Sequence, residues 1–319
     1  MAQESLRAQY EALLRAEGRT VRRALAEGEA RAYGAASLYE RISSDFRRTL
    51  AEADIALPEP VLVAKYPHES FNAQARAVRG GTLILVNAGF SLLVLEMSKA
   101  FAASLGFFSR DEDGGITVEA ATPAVRERRR IAERGMARSV LAYLFQGDAA
   151  HGGRQPLDAD SAAMARLLTE ATERFVVAHE FAHLLEGHLA TPAQRGAGEW
   201  LHRTREQEFQ ADETGMLLLL RALEDGPEEQ LASYLAVAGP LFFFAIDHLI
   251  TRVRNEIDDI PQGMRLSDHP GSDERGAALR ALLTDIHGPL VLHMADACVQ
   301  WLSWHEDGIV TAARGQLAG

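Results

Sequence analysis

The sequence predicts a mostly helical fold with one small β-sheet, an α+β class. Three observations lead there. Apolar residues recur at helical spacing through the first 56 residues and again through most of the chain after residue 125. Two short aliphatic runs, "VLVAKY" and "TLILVNA", break that period with the composition of strands. Glycine and proline mark several of the block boundaries, with "ALPEP" (Ala56–Pro60) ahead of the first run and Gly80-Gly81 just ahead of the second.

The elements follow in order. Tyr10, Leu13 and Leu14, then Leu38, Tyr39, Ile42, Phe46 and Leu50, mark two or three amphipathic helices over 1–56. "ALPEP" punctuates that region, and the two strands follow. Phe90–Phe107 returns to helix, 109–124 is rich in turns, and 125–146 is helical again. "QGDAAHGGRQPLDAD" (Gln146–Asp160) reads as a linker or lid. A helix capped at Ser161 runs to about His188, before Thr191-Pro192, and the next spans about Trp200 to Leu223. A long apolar helix over about 229–254, the loop "IPQGMRLSDHPGSDE" and further helices complete the chain. The expected organisation is an N-terminal helical segment (1–56), a main domain (57–285) with an insertion at about 109–160, and a C-terminal helical segment (286–319) packed on it.

The 319 residues carry a net charge of −12, which argues against general nucleic-acid binding. An arginine cluster, Arg126–Arg138, stands out in this acidic chain. It reads as a solvated helix face interleaved with Glu127 and Glu133, or as a docking site for an acidic partner. Cys298 is the only cysteine, so an intrachain disulfide and a cysteine metal cluster are excluded. Two apolar stretches approach the length of a membrane span. The first carries Glu96 and Lys99, and the second contains Pro240 and falls short of the roughly 20 apolar residues a span needs. Both read as core helices, so the expectation is a soluble, cytoplasmic protein without stable membrane insertion.

The chemistry is concentrated in "VVAHEFAHLLEGH" (Val176–His188). His179 and His183 are four residues apart, about 400° round a helix, so both imidazoles lie on one face and can converge on one metal ion. Glu180, rotated about 100° from His179, misses the metal but reaches a water that the metal activates. This is the physical content of HExxH. His188, five residues beyond His183, would turn away on a continued helix and reads as a helix-end or cleft residue. "REQEFQADETG" supplies the missing oxygen ligand: Glu208 and Asp212 share a helix face, Glu208 to complete the site and Asp212 to accept a hydrogen bond from a ligand imidazole. Glu206 and Glu213 point to other faces.

With these motifs the chain resembles the gluzincin metallopeptidases of the HtpX and CAAX-prenyl-protease type, in which HExxH is followed by a helix bearing E-x-x-A-D. Here that pattern is Glu208 to Asp212. The resemblance implies a zincin-like fold with the HExxH helix packed on the ExxAD helix, and one Zn2+ per chain on His179, His183 and Glu208. "SDHPGSDERGAALRALL" is similar to the family's His-Pro…Arg segment, which implies that His269 stabilises the oxyanion and that Arg275 engages a carboxylate near the site. "FNAQARAVRGGTLILVNAGFSLL" resembles the strand and hairpin along which such enzymes hold substrate extended, implying Leu83, Leu85 and Asn87 as substrate-binding positions. The implied activity is zinc-dependent endopeptidase action on a protein or peptide substrate, with Glu180 as general base and then general acid. The other reading is a latent or non-catalytic zinc-binding regulatory protein whose insertion covers the cleft.

Overall fold

A computed structural model describes residues 2–19, 35–105, 108–110, 116–118, 122–153, 155, 157–189, 204–224, 230–258 and 270–317. Among these, helix dominates. Helices α1 (Ala2–Ala16) and α2 (Ala35–Glu52) precede strands β1 (Val61–Tyr66), β2 (Ala73–Val78) and β3 (Gly81–Asn87). Then come α3 (Ala88–Leu105), a minor hairpin β4 (Phe108–Arg110) and β5 (Ile116–Val118), and α4 (Pro123–Gln146). The chain continues through α5 (Ala159–Leu185), α6 (Arg205–Glu224), α7 (Gln230–Ile257), α8 (Ser272–His287) and α9 (His293–Leu317).

The main sheet has the order β1-β3-β2, with β1 parallel and β2 antiparallel to β3. Strand periodicity divides its two faces. Val61, Val63, Ala73, Ala75, Ile84 and Val86 face the main core, whereas Tyr66, Leu83 and Leu85 pack with Leu6 and Leu14 of α1. Helix α1 therefore covers one side of the sheet and α3 and α5 lie on the other. Strand β3 is buried along its whole length, as expected of its near-continuous aliphatic run. Strand β2, "AQARAV", was not read from periodicity because its alternation is between alanine and polar residues. It becomes an edge through the turn at Gly80, whose φ of 83° suits glycine.

One hydrophobic cluster runs from Leu38 of α2 to Ala313 of α9, while α1 packs in the smaller cluster on the other face of the sheet. Helix α4 contributes Met136, Val140 and Tyr143 to it, and the following turn packs so closely that a Cβ at Gly152 would lie 2.6 Å from the Ser139 backbone nitrogen. The described parts of 123–153 thus pack against the core. The start of α5 also differs from expectation. Asp158, three residues before Ser161, is the N-cap and accepts from the Ser161 N–H at 2.7 Å. The arginine cluster lies on exposed turns of α4, with Arg130 and Arg134 paired to Glu127. Helix α3 and the Tyr234–Ile257 part of α7 are long and apolar enough to span a bilayer, yet 72% and 67% of their apolar windows are buried within the fold.

Two glycines set the packing around α5. A Cβ at Gly239 would fall 2.6 Å from the Ala171 backbone, where α7 crosses α5 beside Pro240. A Cβ at Gly215 would fall 2.9 Å from the His179 nitrogen. Backbone contact at Gly215 draws α6 onto the HExxH turn, which puts side chains three and seven residues earlier on α6 within reach of the histidines.

Candidate metal centre

Those side chains are Asp212 and Glu208. His179, His183, Glu208 and Asp212 are all buried, although charged side chains are rarely so unless paired. The two imidazole Nε2 atoms are 3.0 Å apart. Glu208 stands 3.5 Å from His179 Nε2 and 3.6 Å from His183 Nε2, one carboxylate oxygen toward each ring. Donors on a tetrahedral ion at about 2.0–2.1 Å are themselves about 3.3 Å apart. The observed separations bracket that spacing, and the three side chains form a group able to hold a metal ion.

Behind the donors lies a second tier. Asp212 Oδ1 is 2.9 Å from His179 Nδ1, off the line of a straight N–H···O bond but close enough to receive its proton. Arg275, from the first turn of α8, donates to both oxygens of Asp212 at 2.7 and 2.6 Å and pairs with Glu208 at 3.0 Å. Its guanidinium also lies 4.9 Å over the Phe244 ring. Burial pushes the Asp212 pKa up, but the hydrogen bonds and charge of Arg275, with help from His179, outweigh it and hold the carboxyl below its usual range. Desolvation lowers the Arg275 pKa, but Asp212 first, then Glu208 and Asp247, outweigh it and raise the value.

His179 gives a pH prediction for protein stripped of metal. Burial, the largest single influence, lowers its pKa, yet Asp212 and Glu208 together raise it to about 8. The folded chain thus favours the charged ring relative to the unfolded value of about 6.5. The contribution to stability is full below pH 6.5 and is lost as pH rises through about 8. The melting temperature of chelator-stripped protein should fall across that window, and a melting temperature unchanged by His179→Phe at both ends of it would show that the ring carries no such charge.

Glu180 is placed differently from the three donors. Its Oε2 accepts from the Ala75 N–H of β2 at 2.7 Å. The Asn87 N–H donates to the Asn72 carbonyl, so by antiparallel alternation Ala73, Ala75 and Ala77 turn their N–H and C=O groups away from β3. The open edge of β2 consequently runs past Glu180. Leu83, Leu85 and Asn87 do not occupy that position. They lie on the central strand, paired on both sides and buried, and the most aliphatic strand takes the centre because both of its faces are covered. The strand alongside Glu180 is β2. His269 lies outside the described residues. His188 is buried beside His183. His248 lies away from the centre, 3.4 Å from Glu306. Sequence reasoning missed Ala75; its signal was the small-residue alternation of "AQARAV" ahead of Gly80-Gly81.

No family model matches the chain, and no curated protein or solved structure shows significant similarity to it.

Proposed function

We propose that the protein is a zinc-dependent endopeptidase of gluzincin type, with a zincin-like packing of α5 against α6. The observation that carries this reading is the buried two-imidazole, one-carboxylate set at near-tetrahedral spacing, with a further carboxylate beside it that is tethered to the edge of a sheet. A purely structural zinc site needs four protein ligands and no base. Here the described donors number three, and Glu180 is retained next to them.

His179, His183 and Glu208 would hold zinc, since two imidazoles and a carboxylate are the donor set of catalytic zinc. When bound, zinc acidifies water toward neutral pKa and polarises the scissile carbonyl. Glu180 takes the proton from the attacking water and delivers it to the leaving amine. The Ala75 N–H keeps the Glu180 carboxylate in one orientation for that transfer. Asp212 holds the proton of His179 on Nδ1, leaving Nε2 free to ligate. The Ala73 and Ala75 N–H groups are taken by Asn72 and Glu180, so an extended peptide laid along β2 would pair with the outward carbonyls of the strand and the Ala77 N–H, its scissile bond alongside α5. By resemblance, His269 stabilises the oxyanion.

The test is zinc content of the purified protein together with cleavage of a complex peptide library. One zinc per chain with cleavage that chelation abolishes is the expected result. Stoichiometric zinc without cleavage would favour a zinc-binding regulator, and absence of zinc would overturn the reading at its first residue, His179.

A further inference from the structure

Helix α5 ends in a way that brings a third histidine to the ligand pair. Gly187 has φ 69°; its N–H donates to the Leu184 carbonyl at 3.2 Å, and the His188 N–H reaches back to the His183 carbonyl at 2.9 Å. A left-handed glycine closed by such a six-to-one bond is a Schellman end. Five more residues of helix would carry His188 about 500° round, away from His183. The reversal at Gly187 instead lays the two rings together, centroids 5.2 Å apart, with Nδ1 of one 3.0 Å from Nδ1 of the other.

Beyond His188 the contacts continue. His188 Nε2 is 3.3 Å from Gln210 Oε1, Gln210 Nε2 donates to Glu186 Oε2 at 2.5 Å, and Glu186 Oε1 accepts from Thr214 Oγ1 at 2.8 Å. We propose that His188, Gln210 and Glu186 form a positioning relay that locks His183 in its metal-binding tautomer. The proposal rests on the metal reading above, and its polarity can be worked out from either end. If His183 gives its Nε2 lone pair to a metal, its proton sits on Nδ1 and is donated to His188 Nδ1. His188 then carries its own proton on Nε2 and donates it to Gln210 Oε1. From the other end, Glu186 is a carboxylate and only accepts, so Gln210 must turn its NH2 to Glu186 and its oxygen to His188. The two ends require the same direction at every link. The reverse polarity would leave an N–H on His183 Nε2, where the lone pair is needed, and would set the Gln210 oxygen against a carboxylate.

Each ligand histidine thus backs onto a carboxylate: His179 directly on Asp212, His183 through two side chains on Glu186. Such outer partners raise ligand basicity and fix ring orientation.

The experiment measures zinc affinity by competition with a chromophoric chelator, and the visible spectrum of the cobalt(II)-loaded protein, for wild type, His188→Leu and His188→Asn. Leucine fills the space without an acceptor and should weaken zinc binding by about 10–100-fold and shift the cobalt bands. Asparagine can present its Oδ1 where Nδ1 stood, and should recover most of the affinity, which a mere packing role would not restore. Wild-type affinity and spectrum in the leucine variant would overturn the relay, as would asparagine performing no better than leucine. Failure of wild type itself to bind zinc would overturn the relay together with the metal reading, a result distinct from the other two. Should either variant at 188 fail to fold, Gln210→Leu at an exposed position reads the next link: a several-fold weakening is expected, and unchanged affinity overturns the relay.

Discussion

Glu180→Gln is expected to keep its zinc and lose cleavage, by about 10²–10⁴-fold in kcat, the usual contribution of a positioned general acid–base. The substitution is nearly isosteric at a buried position, and the amide oxygen of glutamine can still accept from the Ala75 N–H. What disappears is the capacity to take a proton. Glu180 is not among the three donors that converge, so metal content should not change. Metal analysis beside single-turnover cleavage separates the outcomes. Full activity in the variant would remove Glu180 from the chemistry, whereas loss of zinc would make it a ligand.

Arg275→Met is expected to destabilise the metal-free protein by about 3–5 kcal/mol, because it strands charges that are already out of water. Arg275 makes a two-pronged contact with Asp212 and a third contact with Glu208, and both carboxylates are only 4% exposed. Methionine retains contact with Phe244 but supplies no charge, so the loss reflects the missing countercharge more than missing packing. Added zinc should recover part of the stability by binding the folded state. Arg275→Lys should fall between, since an ammonium cannot reproduce the fork. Urea unfolding with and without zinc measures this directly. A change below about 1 kcal/mol in the metal-free methionine variant would mean that Asp212 is protonated rather than paired, contrary to the direction of its pKa.

Parts of this architecture could be read without coordinates. The i, i+4 spacing of His179 with His183 and of Glu208 with Asp212 fixes which side chains share a helix face, because helical rotation is a local property of the backbone. The same locality made the amphipathic faces of α1 and α2 legible, and the aliphatic run of β3. Where two local signals compete the choice was not legible: Ser161 was an acceptable cap, yet Asp158, three residues earlier, made the bond. Local rules failed where the decisive partner is remote. Leu83, Leu85 and Asn87 resembled substrate positions, but the sheet set their strand in its centre.

The sequence by itself determined that two imidazoles and two carboxylates would stand in pairs on two helices, and that an acidic, cysteine-poor chain would fold largely as helix around a small sheet. Only the tertiary structure decided that the pairs meet. Gly215 lets α6 touch the backbone of His179, Arg275 arrives from α8 to balance the two buried carboxylates, and the edge of β2 passes Glu180. The reversal at Gly187 was written in the chain as a glycine before a histidine, but which ring His188 would meet was not. Spacing along a helix follows from covalent geometry within a few residues. Which helix faces which follows from burying apolar surface contributed by the whole chain, and that balance has no local signature.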